Sequence, residues 1–140
     1  MKKIIFVCHG NICRSPAAEY IMKNLTNEYE IISRATSYEE IGNDIYPPMK
    51  RELMKNSIPF SRHFATKITY EDYESADYIF YMDEENRYSL ERMFHNSNKI
   101  MPIYKFTPSI NEIEDPWYTG RFDVVVKRIT LCVKDIINFL

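Results

Sequence analysis

The feature that most constrains this chain is a short apolar run near its start that leads directly into a polar segment. The run, residues 4–7 (Ile-Ile-Phe-Val), is apolar at every position, which is typical of a strand buried on both faces of a parallel sheet. The polar segment reads Cys8-His9-Gly10-Asn11-Ile12-Cys13-Arg14-Ser15-Pro16, and its proline suits the first turn of a helix. A strand, a tight loop and a helix N-terminus in this order aim backbone N–H groups at one point. The segment therefore predicts a cradle for a phosphate-like anion.

Strand-like and helix-like segments alternate along the rest of the chain. We predict strands at residues 2–7, 30–35, 77–82 and 99–103, and helices at residues 15–29, 48–56 and 121–140. Two further helices are predicted, one starting at Thr69 with an acidic residue three positions later, and one capped by Asp83 and ending near His95. Residues 36–48 and 104–120 are predicted loops, and loops as long as the second are usually functional.

This alternation predicts an α/β fold. We expect a single domain over residues 1–140, with a four-stranded open parallel sheet, helices on both faces and a phosphate-binding loop after the first strand. Ligands of such sheets bind at the carboxyl ends of the strands. Cys8 lies at that end of the first strand, so the rule places the site at Cys8.

Composition excludes several classes of protein. The formal net charge is −2, which provides no basic field for nucleic acid. The N-terminal Met-Lys-Lys and the apolar residues after it resemble the start of a signal peptide, but the apolar run is too short for one. No apolar segment approaches the roughly 20 residues that a membrane helix needs. We expect a cytoplasmic monomer without a nucleic-acid or membrane partner.

The loop residues suit nucleophilic chemistry on a phosphate group. Cys8 is the predicted nucleophile, because backbone N–H groups, a helix N-terminus and Arg14 all favour a thiolate. The planar fork of Arg14 can bind two phosphoryl oxygens at once. Gly10 permits backbone angles that strain other residues, and Asn11 tolerates a left-handed turn. Ser15 can donate a hydrogen bond to the Cys8 sulfur.

The polar segment resembles the signature loop of the low-molecular-weight protein tyrosine phosphatases. That resemblance implies a phosphate-binding loop that contains His9, Gly10, Asn11, Ile12, Cys13 and Ser15 beside the catalytic Cys8 and Arg14. The family usually has an aliphatic residue where this chain has His9, a departure that alters the rim without removing a catalytic group.

A second segment, Asp115-Pro116-Trp117-Tyr118, resembles the general-acid loop of the same family. The resemblance implies that Asp115 protonates the leaving phenolate and then acts as base for the water that hydrolyses a cysteinyl-phosphate. Trp117 and Tyr118 are implied to form walls of a slot for an aromatic ring.

The resemblance covers nearly the whole chain and implies further roles. His63 resembles a histidine that supports the phosphate loop through Asn11, and Asp83 resembles a helix-capping aspartate of the family. At the position where many members carry an aromatic residue on the substrate rim, this chain has Glu39, with Tyr38 beside it. Either Tyr38 serves on the rim in its place, or the rim is more acidic and selects different peptides. Cys13 is implied to form a reversible disulfide with Cys8; packing alone is the alternative for Cys13.

The predicted function is therefore hydrolysis of phosphotyrosine in a protein or peptide, with inorganic phosphate as product. No metal or cofactor is expected, because His9, His63 and His95 form no ligand cluster in the sequence. One alternative is a thiol-linked arsenate reductase, which shares the fold and loop but needs further redox cysteines; the one remaining cysteine, Cys132, has the spacing of a core residue. A catalytically silent phosphotyrosine-binding module is the other alternative.

Overall fold

The computed structural model describes residues 1–95 and 97–140. Its four strands are β1 (Lys3–Cys8), β2 (Glu30–Ala35), β3 (Tyr78–Tyr81) and β4 (Ile100–Pro102). Its helices in the described ranges are α1 (Arg14–Leu25), α2 (Pro47–Lys55), α3 (Tyr70–Ser75), α4 (Glu84–Phe94), α5 (Pro116–Thr119) and α6 (Phe122–Phe139).

The strands form one parallel sheet in the order β2-β1-β3-β4. Strand β1 lies between β2 and β3. The chain crosses from β1 to one side to form β2, and then crosses back past β1 to form β3 on its other side. A crevice therefore opens at its carboxyl end, the place where open α/β sheets bind ligands. Cys8 is the last residue of β1, so the predicted fold and the predicted position of the loop are both confirmed.

Helices cover both faces of the sheet, as predicted. Successive residues of β1 point to opposite faces, and both sets are fully buried. Ile4 and Phe6 pack in a core with residues of α1, α2 and α6, whereas Ile5 and Val7 pack with Leu90 of α4 in a second core. Burial on both faces explains why this strand is apolar throughout.

One predicted helix end was wrong, and one short helix was not predicted. Helix α1 ends at Leu25 rather than at residue 29, because Thr26 is extended (φ −155°) and its hydroxyl accepts a hydrogen bond from the Glu28 N–H, which turns the chain toward β2. The predicted loop at 104–120 contains helix α5, which begins after Asp115 and ends at Gly120 in a left-handed conformation (φ 71°). The capped starts predicted at Thr69 and Asp83 are both confirmed.

No helix in the described ranges is long and apolar enough to span a membrane.

Candidate active site

Two backbone N–H groups and one hydroxyl converge on the sulfur of Cys8. The backbone N–H groups of Asn11 and Ser15 donate to Sγ at 3.3 and 3.4 Å, and the Ser15 hydroxyl lies 3.0 Å from it. The Cys8 residue is only 3% exposed. Donors that meet a sulfur in this way stabilise its thiolate form, in which the sulfur accepts all three hydrogen bonds.

Asn11 sets the shape of the loop between Cys8 and helix α1. Its backbone is left-handed (φ 62°), which asparagine tolerates better than most residues. Its side-chain amide donates to the hydroxyls of Ser15 (2.7 Å) and Ser33 (3.1 Å), and its side-chain oxygen accepts from the Thr66 N–H (3.0 Å). The left-handed turn that the sequence allows at Asn11 is therefore present.

Gly10, in contrast, has no positive φ. Its lack of a side chain matters because a Cβ at this position would lie 3.3 Å from the Glu40 Cγ.

His63 holds the loop from the opposite side. Its Nε2 donates to the Asn11 carbonyl at 2.6 Å, the contact that the sequence predicts. Burial lowers the pKa of His63 below its ordinary value, although the Asn11 carbonyl opposes this shift. The backbone N–H of His63 donates to Asp44, which also pairs with Lys50 and so ties this segment to helix α2.

A buried carboxylate behind the loop was not predicted. Glu19 of helix α1 is 8% exposed and accepts a hydrogen bond from the Ser33 hydroxyl at 2.6 Å, while Lys23 pairs with its other oxygen. Since Asn11 donates to Ser33, hydrogen bonds connect Glu19 with the loop through that serine. The sequence signal that was available is a glutamate among the apolar residues of α1.

Arg14, the first residue of α1, is 2% exposed. Its Nη1 donates to Asp83 Oδ2 at 2.7 Å and to the Ile113 carbonyl at 2.9 Å. Burial alone would lower the pKa of Arg14, but the charges of Cys8 and Asp83 outweigh this effect and raise it. The arginine is therefore a fixed cation beside the Cys8 sulfur. The sequence predicts Asp83 as a helix cap, which it is, but its contact with Arg14 was missed.

Asp115 lies on the other side of the guanidinium. Its Oδ1 accepts from the Trp117 N–H (3.0 Å), which caps α5, and its Oδ2 lies 3.6 Å from Arg14 Nη2. The Trp117 ring packs against the Tyr46 ring with centroids 4.6 Å apart, and Tyr118 is largely exposed beside it. Nucleophile and cation, both from the loop after β1, thus meet a carboxylate from a segment about 100 positions further along the chain.

These groups surround one cavity of about 190 Å³. Its lining consists of Cys8, His9, Gly10, Asn11, Ile12, Cys13, Arg14, Glu39, Glu40, Asp115, Trp117 and Tyr118. Ser15, His63 and Asp83 support the lining from behind, through the contacts above. Tyr38 is not among the lining residues; its ring lies under the Lys67 ammonium, 4.9 Å away, on the outer side of the loop. Glu40, which the sequence did not indicate, lines the cavity beside Glu39.

The mouth of the cavity carries a polar pair. His9 Nε2 and Glu39 Oε2 lie 2.8 Å apart, and both side chains are about half exposed or more. The histidine that departs from the usual aliphatic residue therefore contacts the acidic residue that departs from the usual aromatic one.

The two other cysteines differ in position. Cys13 lines the cavity and is buried; burial and the nearby Cys8 charge both raise the pKa of its thiol. Cys132 is fully buried in α6, as predicted for a core residue, and burial raises its pKa to about 11.

In the described ranges, no group of three or more histidine, cysteine, aspartate or glutamate side chains is arranged to hold a metal ion.

Comparison with known proteins gives one consistent result. The family model described as low molecular weight phosphotyrosine protein phosphatase matches residues 3–139. A rat protein with the same description is 37% identical over 148 aligned positions, covering 95% of this chain and 92% of the rat protein. The Bacillus subtilis low molecular weight protein-tyrosine-phosphatase YfkJ is 33% identical, covering 92% and 89%. The crystal structure of SP-PTP, a low molecular weight protein tyrosine phosphatase from Streptococcus pyogenes, superimposes with a TM-score of 0.92 at 36% identity and covers 100% of this chain and 93% of that one.

Proposed function

The chain belongs to the low molecular weight phosphotyrosine protein phosphatase family, a family of phosphoric monoester hydrolases, and we propose on this basis that it hydrolyses phosphotyrosine through a cysteinyl-phosphate. In this proposal Cys8 is the nucleophile, Arg14 binds the phosphoryl group and Asp115 is the general acid and base. The substrate is a phosphotyrosine residue in a protein or peptide.

The observation that carries the proposal is the convergence of two backbone N–H donors and the Ser15 hydroxyl on Cys8 Sγ, inside the cavity that Arg14 and Asp115 also line. A thiolate stabilised by hydrogen bonds is a competent nucleophile toward phosphorus. The same cavity supplies a fixed cation for the charge of the phosphoryl group, and stabilising this charge is usually the largest contribution to such catalysis.

The contacts that fix the Arg14 guanidinium leave two of its nitrogen atoms available to bind a phosphoryl group. Asp83 and Ile113 both accept from Nη1. Among the described residues no hydrogen bond occupies Nε or Nη2, and Asp115 Oδ2 lies beyond hydrogen-bond distance of Nη2, at 3.6 Å. Those N–H groups remain available for two phosphoryl oxygens, in the bidentate geometry that guanidinium favours. The backbone N–H groups of the loop supply the remaining donors.

The two chemical steps follow from this arrangement. The Cys8 thiolate attacks phosphorus, the S–P bond forms, the P–O bond to the tyrosine breaks, and Asp115 gives its proton to the departing phenolate oxygen. Asp115, now a carboxylate, takes a proton from a water molecule that attacks the cysteinyl-phosphate. The S–P bond breaks and inorganic phosphate leaves. Ser15 stabilises the thiolate that is regenerated, because its hydroxyl lies 3.0 Å from Sγ.

The experiment uses the purified, reduced protein with p-nitrophenyl phosphate and a phosphotyrosine peptide in the presence of EDTA. We expect release of phosphate, and an early burst of nitrophenol if hydrolysis of the intermediate is slow. Cys8→Ser should abolish turnover, whereas Cys132→Ala, a matched change at a buried cysteine outside the cavity, should retain it.

Substantial turnover by Cys8→Ser would reject Cys8 as the nucleophile. Absence of turnover in the wild type, with vanadate or phosphate still bound, would reject the hydrolase proposal in favour of a binding module or an arsenate reductase.

A further inference from the structure

A second cavity lies beside the first, on the outer side of the loop that carries Glu39 and Glu40. It has a volume of about 440 Å³, within the range of roughly 300–1,000 Å³ that ligand sites occupy. Tyr38, Ile41 and Phe64 line it, and they are 75%, 48% and 61% exposed. Three large apolar side chains this exposed around one depression indicate an interaction surface, because soluble proteins seldom leave such patches uncovered without a function. We call this cavity the flanking groove.

One short segment of chain separates the flanking groove from the active-site cavity. Glu39 and Glu40 line the active-site cavity, whereas Tyr38 and Ile41, their immediate neighbours, line the groove. Consecutive Cα atoms are about 3.8 Å apart, and an extended peptide advances about 3.3 Å per residue. A residue two to four positions from a phosphotyrosine bound in the active site would therefore travel roughly 7–13 Å, far enough to cross this segment and enter the groove.

The groove is formed by backbone hydrogen bonds rather than by mobile side chains alone. The Gly42 N–H donates to the Ala65 carbonyl and the Ala65 N–H donates to the Asn43 carbonyl, both at 2.8 Å. Arg62 adds a hydrogen bond to the Gly42 carbonyl at 3.0 Å. Ala65 and Ile68 are buried at the base of the groove. A ligand would therefore find an apolar surface that needs little ordering, which favours binding.

The charge at the groove differs from that at the mouth of the active site. The Lys67 ammonium lies 4.9 Å from the centre of the Tyr38 ring and contacts the Met93 sulfur. Among the described residues, no carboxylate lies within ion-pair distance of it. An apolar groove with an unneutralised ammonium at its edge fits an apolar side chain that has a carboxylate beside it.

We propose that the flanking groove is a substrate-docking subsite, which binds a large apolar side chain two to four positions from the phosphotyrosine and an acidic residue next to that side chain. This inference rests on the proposed function. Phe64, Ile41 and Lys67 are then specificity-determining residues for polypeptide substrates. They have no role with small aryl phosphates, which do not extend beyond the active-site cavity.

The test measures kcat/KM for a set of phosphotyrosine peptides. A leucine followed by a glutamate is placed at each position from four before to four after the phosphotyrosine in a glycine and serine background, and each peptide is compared with its alanine counterpart. We expect at least one position two to four residues away where leucine raises kcat/KM by roughly tenfold, the order of discrimination that an apolar subsite provides. Phe64→Ala should remove most of this gain and leave kcat/KM for p-nitrophenyl phosphate unchanged.

Two comparisons sharpen the test. Met54→Ala removes an apolar side chain of the same exposure, 61%, from helix α2 outside the groove, and should leave the leucine preference intact. Lys67→Glu should reverse the preference for the neighbouring residue, so that lysine beside the leucine becomes better than glutamate.

The outcomes are distinguishable. Hydrolysis of p-nitrophenyl phosphate with equal kcat/KM for leucine and alanine peptides at every position would overturn the docking proposal alone. An equal loss on peptides and p-nitrophenyl phosphate in Phe64→Ala would also overturn it, by showing an effect on the active-site loop. A wild-type dimer that Phe64→Ala converts to a monomer would assign the groove to a second copy of the chain. No hydrolysis of any aryl phosphate by the wild type would instead reject the proposed function.

Discussion

Arg14 Nη1 and Asp83 Oδ2 lie 2.7 Å apart, and this contact joins the anion loop to the start of helix α4 across 69 positions of sequence. The aspartate has two tasks, because its other oxygen accepts from the Asn86 N–H and caps the helix. Asparagine at position 83 has one acceptor oxygen, which can keep the cap, and an NH2 group, which cannot accept from the guanidinium. The contact with Arg14 can thus be tested separately from the cap.

We expect Asp83→Asn to lower kcat/KM for p-nitrophenyl phosphate about tenfold, because a charge-assisted hydrogen bond that holds Arg14, worth roughly 1.5 kcal/mol, is lost. The inhibition constant for inorganic phosphate should rise with it, since the guanidinium is less well positioned for an anion. Steady-state kinetics with phosphate as inhibitor measure both effects.

Asp83→Ala should lose the cap as well, and with it about 1 kcal/mol of free energy of unfolding. Thr69→Ala provides the matched control, because Thr69 caps α3 through the same reciprocal hydrogen bonds and does not line the active-site cavity. That variant should lose stability without a change in phosphate inhibition. If Asp83→Asn binds phosphate as tightly as the wild type does, Asp83 has no positioning role.

The neutral state of His63 should appear in the pH dependence of stability. Burial lowers its pKa in the folded protein below the ordinary value of 6.5, so the unfolded chain binds the proton more tightly. The free energy of unfolding should therefore be highest above pH 6.5 and fall as the pH drops below that value. Urea unfolding between pH 8 and pH 5 measures the slope.

His63→Gln should flatten this slope, because glutamine can donate to the Asn11 carbonyl without titrating. His95→Asn changes an exposed histidine and should keep the wild-type slope. A slope that is unchanged in His63→Gln would assign the pH dependence to other groups.

Sequence patterns predicted those parts of the site that are local in the chain. The apolar run of β1, the loop from Cys8 to Arg14 and the cap at Asp83 each depend on residues within one turn or one strand, so their spacing is visible in the sequence. Contacts between distant segments leave no such pattern. The Asp83 contact with Arg14 and the position of Glu40 depend on which segments the fold brings together at the carboxyl ends of the strands.

The position of Tyr38 has the same origin. Tyr38 and Glu39 are adjacent in sequence, but successive side chains of an irregular loop point in different directions. One lies in the flanking groove and the other lines the active-site cavity. Only the fold decides which of two neighbours faces the substrate.

Cys13 should protect the enzyme from irreversible oxidation. Both Cys8 and Cys13 line the cavity, and burial raises the pKa of Cys13 so that it remains a thiol while Cys8 reacts. Hydrogen peroxide would convert the Cys8 thiolate to a sulfenic acid, with which the Cys13 thiol would then condense to form a disulfide and release water. After brief peroxide treatment, dithiothreitol should restore most wild-type activity.

Cys13→Ser should recover much less, because its Cys8 sulfenic acid continues to the sulfinic acid that thiols do not reduce. Cys132→Ala should recover as the wild type does. Equal recovery in wild type and Cys13→Ser would leave Cys13 with a packing role alone. Mass spectrometry of the treated protein identifies the oxidation state directly.

Asp115→Asn should affect substrates according to their leaving groups. Asparagine keeps the hydrogen bond from the Trp117 N–H that caps α5, but it cannot supply a proton. We expect kcat/KM to fall roughly 10²–10⁴-fold for phenyl phosphate, and far less for p-nitrophenyl phosphate, whose leaving group departs without protonation. Glu114→Gln is the matched control, because Glu114 pairs with the exposed Arg121 and should leave both rates near wild type. An equal loss on both substrates would mean that Asp115 acts on Arg14 or on the cavity rather than on the leaving oxygen.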